Sequence, residues 1–255
     1  MAHRAIVIGV DDYTDQPRLN LKGAVNDALT VAAWLIDGEG GQVPASNVVL
    51  LTSPAVTLPS SWDGVQTVAP ATASNINHQL KEIPAKSAQP EDRFYFFFAG
   101  HGLTAPSDIA KEAILPADYT TDNPGAALGV HSILDWLKTS QYNRQFVLID
   151  ACRNTPFEKR FAIGRFPWIP EPSDRRPQVE QFVYMSTSRG LTAAEVTTLE
   201  SAQASRAGVF TSALIEGLRG AGEANTIITP RTLTMSRRTV FWSIWSTASV
   251  NRWRL

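Results

Sequence analysis

Five short runs along the chain are almost continuously apolar: Ala5–Val10, Val48–Leu51, Phe94–Ala99, Phe146–Ile149 and Phe182–Met185. A strand with one wet face alternates apolar and polar residues, whereas a strand covered on both faces does not. The runs therefore predict strands of a parallel sheet packed on both sides. Between them the period changes. Ala24, Ala28, Val31, Ala32 and Leu35 recur at helical spacing ahead of Gly38, a residue type that stops helices. Ser74–Ile83, His131–Leu137 and Gly208–Leu218 also read as helices. Strand and helix alternate, and right-handed crossovers place helices on both faces of the sheet. The expected fold class is α/β, with a mostly parallel sheet.

The pattern fails from Arg153 to Glu180. Pro156, Pro167, Pro170, Pro172 and Pro177 fall there, together with Lys159, Arg160, Arg165, Arg175 and Arg176. Proline removes a backbone donor and blocks regular structure, so an exposed linker is expected. Beyond Glu223 no acidic residue occurs, and residues 224–255 hold five arginines and three tryptophans. Phe241, Trp242, Ile244 and Trp245 suit the completion of a core. The alternative is a basic, Trp-bearing segment that docks a regulatory protein partner or a membrane surface.

Composition narrows the classes. A chain of 255 residues can bury a sizeable core without disulfide or metal staples. With 44% hydrophobic and 18% charged residues, disordered, fibrous and coiled-coil classes are excluded. A net charge of −1 gives no footprint for nucleic acid. The single cysteine, Cys152, excludes an internal disulfide framework and a Cys-based zinc site. No apolar run reaches the roughly 18 residues of a transmembrane helix. Without a signal-peptide pattern, a cytoplasmic protein with a reduced thiol is expected.

Ligands of open α/β sheets bind at the carboxyl ends of the strands. Phe94–Ala99 runs into Gly100-His101-Gly102, and Phe146–Ile149 runs into Asp150-Ala151-Cys152. One imidazole and the only thiol therefore follow two predicted strand ends. If those strands are neighbours, the two side chains can meet. A free thiol is only a few per cent thiolate at neutral pH, and an imidazole at its side activates it. The imidazole then returns a proton to a leaving amine. The backbone N–H groups of Gly102 and Cys152 are candidates for an oxyanion hole. A lone cysteine at a strand end is more often an inert small hydrophobe, so the weight lies on the pair. The turn Asp11-Asp12-Tyr13-Thr14-Asp15 has no glycine-rich phosphate loop and is acidic, which argues against a nucleotide site.

At these residues the chain resembles the caspase and metacaspase clan of cysteine peptidases, over about residues 4 to 220. Phe-Ala-Gly-His101-Gly matches the family's histidine motif and Asp-Ala-Cys152-Arg-Asn its cysteine motif. The interval of about fifty residues between them is that of caspases. Leu21–Ala28 resembles the first-helix motif of metacaspases. Tyr184–Glu195 and the helix that follows resemble the small-subunit strand and helix. The resemblance implies a caspase-like three-layer sandwich with a mostly parallel six-stranded sheet. It implies one caspase-like domain: residues 1–152 large-subunit-like, 153–180 a linker and 181–255 small-subunit-like. His101 and Cys152 are then the catalytic dyad of an endopeptidase acting on proteins or peptides, in regulated signalling or defence.

Substrate choice follows from departures within that resemblance. Caspases hold a P1 aspartate with two arginines and a glutamine. Here Leu21, Glu195 and Asp150 stand at those places, while Asp27 and Asp150 match the paired aspartates of the basic-specific metacaspase pocket. Two carboxylates favour Arg or Lys at P1. Asp27, Asp150, Ser186 and Glu195 form the expected S1 pocket. Arg160, Arg165, Arg175 and Arg176 become candidates for self-cleavage. No cofactor is required. Calcium activates many metacaspases, and the resemblance leaves such activation open here; loop acids such as Asp118 and Asp122 could serve, though no EF-hand-like spacing supports it. A catalytically silent scaffold and a peptide ligase of the same clan are the alternatives, since ligation passes through the same acyl-enzyme.

Overall fold

A computed structural model of the chain describes residues 2–83, 88–104, 112–120, 122–151, 179–186, 195–196, 207–220 and 252–253. Each of the five apolar runs is a strand, one to four residues longer than its apolar stretch: β1 (Arg4–Val10), β2 (Val48–Ser53), β4 (Arg93–Gly100), β8 (Arg144–Ala151) and β9 (Glu180–Met185). The short strands β3 (Gln66–Val68) and β12 (Arg252–Trp253) extend the two edges. The sheet order is β12-β9-β8-β4-β1-β2-β3. The expected six strands run parallel, and β12 adds an antiparallel seventh beside β9.

The continuous apolar runs conceal a period of two. Phe94, Phe96 and Phe98 of β4 join one core cluster, and Tyr95, Phe97 and Ala99 join the other. Helices α2 (Ala73–Glu82) and α3 (Val130–Leu137) cover the first face through Ile76, Leu80, Ile133 and Leu137. Helices α1 (Ala24–Ile36) and α4 (Val209–Leu218) cover the second through Ala28, Val31, Leu35, Phe210 and Leu214. Both faces are dry, so neither needs polar residues. Three layers follow from that.

α1 lies unusually close to the sheet. A Cβ on Gly9 would stand 2.7 Å from the Ala24 carbonyl oxygen and 2.8 Å from the Ala28 Cβ. The small residues at 9, 24 and 28 are what let the helix settle there. Two small antiparallel sheets complete the described fold. One joins β5 (Gly102–Thr104), β6 (Glu112–Ile114) and β7 (Leu128–Gly129), and the other joins β10 (Glu195–Val196) and β11 (Ala207–Gly208). Among the described residues no helix is long and apolar enough to cross a membrane.

Candidate active site

The sheet order makes β4 and β8 direct neighbours, as the site requires. They pair in parallel from Arg93↔Arg144 to Gly100↔Ala151. His101 leaves β4 one residue past Gly100, and Ala151, the last residue of β8, immediately precedes Cys152 in the chain. Cys152 itself lies outside the described residues. So do the linker from 153 to 178, with Arg160, Arg165, Arg175 and Arg176, and the aromatic tail residues Phe241, Trp242, Ile244 and Trp245.

His101 is held from two sides by the loop between β1 and α1. Its Nε2 lies 2.8 Å from the Leu19 carbonyl oxygen. A carbonyl only accepts, so Nε2 carries a proton, and in the neutral form of the ring the lone pair belongs to Nδ1. The backbone N–H of His101 donates to the Tyr13 hydroxyl at 2.8 Å, and that hydroxyl reaches the Leu115 carbonyl at 3.4 Å. The Tyr13 and His101 rings stand 5.2 Å apart, tilted by 44°. The next residue, Gly102, is buried and opens β5.

The same loop starts α1. Asp11 directly follows β1 and accepts the N–H groups of Ala24 (2.8 Å) and Val25 (3.3 Å). The N-cap position is Gly23, which has no side chain to offer. In the first turn so fixed sits Asp27, only 4% exposed. Asp150, 7% exposed, comes from the end of β8 on the same face of the sheet. The two carboxylates converge at the N-terminus of α4. Both oxygens of Asp27 accept the Gly208 N–H, at 3.1 and 3.0 Å. Oδ2 of Asp150 accepts the Thr211 hydroxyl at 2.9 Å. A Cβ on Gly208 would stand 2.5 Å from Asp150 Oδ2 and 2.8 Å from Asp27 Oδ2. Two buried carboxyl groups thus meet at one point, at the N-terminus of α4, where a helix dipole favours negative charge.

The other expected S1 residues fall beside this pair. Glu195 lies directly opposite Gly208 in the β10–β11 ladder. Ser186 follows the last β8–β9 pair, Ile149↔Met185; its N–H bonds the Ile149 carbonyl at 2.9 Å and its hydroxyl the Ala151 carbonyl at 3.3 Å. Leu21, expected at the place of a caspase cation, packs against the apolar core under α1 and α4. Asp118 is engaged elsewhere, accepting the Ala73 N–H at the start of α2 at 2.8 Å. Among the described residues no group of three or more His, Cys, Asp or Glu side chains is placed to hold a metal ion.

Sequence reasoning missed Asp11, Tyr13, Leu19, Gly208 and Thr211. Asp11 and Tyr13 read as parts of an acidic turn. Leu19 acts through its carbonyl, which every residue carries, so no residue type could have revealed it. Gly208 and Thr211 read only as the opening of a helix.

A family model for the caspase domain matches residues 2–243. A probable protease from a Desulfuromonadales bacterium is 38% identical over 227 residues, which make up 88% of this chain and 27% of that protein. Metacaspase-1 of Saccharomyces cerevisiae is 25% identical over 158 residues, 59% of this chain and 33% of that protein. The chain therefore spans about a quarter to a third of the length of these curated relatives. The fold resembles a crystal structure of a Geobacter sulfurreducens protein, with a TM-score of 0.60 at 12% identity, over 99% of this chain and 93% of that one.

Proposed function

The chain belongs to the caspase-domain family of peptidases, and from that premise we propose that it is a cysteine endopeptidase that uses Cys152 and His101 and cuts after Arg or Lys. The observation that carries this reading is the register of β4 and β8, in which His101 and Cys152 each follow one member of the opposed pair Gly100↔Ala151. In the proposed reaction the Cys152 thiol gives its proton to Nδ1 of His101. The thiolate attacks the scissile carbonyl carbon, and the C=O electron pair moves onto oxygen. The N–H groups of Gly102 and Cys152 receive that oxyanion. Collapse breaks the C–N bond, and the departing amine takes the proton from Nδ1. A water, deprotonated by the same nitrogen, then releases the acyl group and restores the thiol. The Leu19 carbonyl keeps Nε2 protonated throughout, which stabilises the transient imidazolium.

The P1 side chain is proposed to meet Asp27 and Asp150, with Ser186 and Glu195 beside them. A buried carboxylate pair suits a guanidinium, which binds carboxylates in a planar, often bidentate fork. It repels an aspartate at P1 by several kcal/mol. Arg160, Arg165, Arg175 and Arg176 would then be substrates within the chain's own linker.

The test is a peptide library varied at P1, with purified wild-type and Cys152→Ala protein, and mass spectrometry of both chains afterwards. Wild type is expected to cleave after Arg, less readily after Lys, and to nick its own linker. Cys152→Ala is expected to do neither. Asp27→Asn or Asp150→Asn should lower kcat/KM on Arg peptides by about 2–5 kcal/mol, roughly thirty- to several-thousandfold. Preference for Asp at P1 would falsify the pocket assignment, and a wild type that leaves every peptide whole would favour a silent scaffold.

A further inference from the structure

We propose that Thr211 and Gly208 are specificity-determining positioning residues: the first turn of α4 clamps Asp27 and Asp150 into the arrangement that receives a basic P1 side chain. This rests on the reading of Asp27 and Asp150 as the S1 carboxylates.

A carboxylate on a short side chain rotates through a broad torsional well about its last bond. Charge-assisted recognition of a guanidinium is strongest when the carboxylates it meets are fixed beforehand. Here each plane is set by a donor from one segment. The Gly208 N–H is shared by both oxygens of Asp27 at 3.1 and 3.0 Å, which points the edge of that carboxylate at the backbone. The hydroxyl of Thr211, a residue only 1% exposed, holds Oδ2 of Asp150 at 2.9 Å. Gly208 contributes a second constraint, because one oxygen of each acid lies within 2.8 Å of the place its Cβ would occupy. A methyl group there would force the two carboxylates apart.

The origin of the donors matters as much as their geometry. Asp27 and Asp150 precede Cys152 in the chain, and Gly208 and Thr211 lie beyond the linker. The pocket's acids and the groups that orient them thus belong to the two parts that the linker joins. S1 geometry is set only when α4 is seated on the sheet. Its seating is apolar, through Phe210, Leu214 and Ile215 in the cluster with α1. Packing on that face is thereby linked to substrate choice.

Steady-state kinetics of the full chain on Arg-P1 and Lys-P1 peptides test this, comparing wild type with Thr211→Val, Thr211→Ser and Gly208→Ala. Thr211→Val keeps the shape and removes the donor. A hydrogen bond to a charged acceptor corresponds to about a ten- to hundredfold effect, so KM on the Arg peptide should rise by about that factor while kcat holds within about twofold. Discrimination between Arg and Lys should narrow. Thr211→Ser should recover most of the wild-type KM. Gly208→Ala should behave like Thr211→Val, since Gly208 has φ −63°, a backbone that alanine adopts freely. A wild-type KM in both Thr211→Val and Gly208→Ala would overturn the clamp. So would a fall in kcat that tracks lost folded protein at constant KM, or loss of cooperative folding in both variants, because each marks a purely structural role. A wild type with no preference for a basic P1 overturns the S1 reading itself, and the clamp with it. A wild type with that preference and an insensitive Thr211→Val overturns the clamp alone.

Discussion

The Tyr13 hydroxyl serves two backbone groups, accepting the His101 N–H at 2.8 Å and reaching the Leu115 carbonyl at 3.4 Å. It stands between the residue that carries the imidazole and the strand exit behind it. Tyr13→Phe leaves the ring packing in place and deprives the His101 amide of its acceptor. Leaving such a group unsatisfied costs about 1–3 kcal/mol, and His101 will shift to relieve it. In the proposed reaction His101 is the base, and misplacing such a group by a fraction of an ångström lowers turnover more than binding. The expected result is a fall in kcat of about three- to thirtyfold with KM little changed, measured beside a thermal melt that shows the variant folded. Equal kcat in Tyr13→Phe and wild type would remove Tyr13 from the positioning of His101. None of this could be read from the sequence. His101, Asp27 and Asp150 stand out because their side chains carry charge or basicity in recognisable motifs. Tyr13 sits among aspartates in a turn, and only the fold reveals that its side chain is 1% exposed.

At the scale of the elements, α1 shows how a helix can be started from a distance. Its N-cap is Gly23, and its first donors are satisfied by Asp11, thirteen residues before Ala24. Removing a capping acceptor costs about 0.5–2 kcal/mol. The negative charge at the positive helix end adds about 0.3–1 kcal/mol to that. Asp11→Ala should therefore destabilise the protein by about 1–3 kcal/mol in denaturant titrations, with the slope unchanged, and Asp11→Asn should restore only part of it, since its one amide oxygen can accept the Ala24 N–H while its NH2 cannot accept the Val25 N–H. An Asp11→Ala protein as stable as wild type would show that α1 starts without this cap. The central strands and all four described α-helices could be anticipated, because double-sided burial and helical spacing leave strong periodic signals. β3 could not: its burial pattern is exposed, exposed, half-buried, so an edge strand carries no apolar run. The two- and three-residue strands β5 to β7, β10 and β11 are too short for any period. Their pairing depends on what the rest of the fold brings alongside.

Across the whole molecule the sheet has two ends with different work. His101, Asp150 and the route to Cys152 gather at the carboxyl end. At the amino end, His3 and Asp92 lock the start of β1 to the start of β4. Asp92 is fully buried and accepts N–H groups from Ala2 (2.6 Å) and Gln89 (2.8 Å), while the Arg93 N–H donates to Nδ1 of His3 at 3.1 Å. Burial holds the His3 imidazole below its usual value of 6.5, helped by the Arg93 cation against the pull of Asp92. Burial alone would raise the Asp92 carboxyl, but the Gln89 and Ala2 N–H bonds, with the nearby His3, carry it below its usual 3.8. Both shifts have the same consequence. Below pH 6.5 the unfolded chain protonates His3 more readily than the native state does, so unfolding takes up protons and stability falls with pH. Asp92 adds a second loss below pH 3.8, because the native carboxylate resists a proton that the unfolded chain accepts. Each full proton of difference changes stability by about 1.4 kcal/mol per pH unit. His3→Asn keeps an oxygen where Nδ1 accepts the Arg93 N–H and removes the titration. Its loss of stability between pH 7.5 and 5 should be smaller than that of wild type in urea titrations at each pH, while the P1 preference proposed for the far end of the sheet should be the same in both proteins. Parallel acid-induced losses in the two proteins would show that His3 does not control the acid limb.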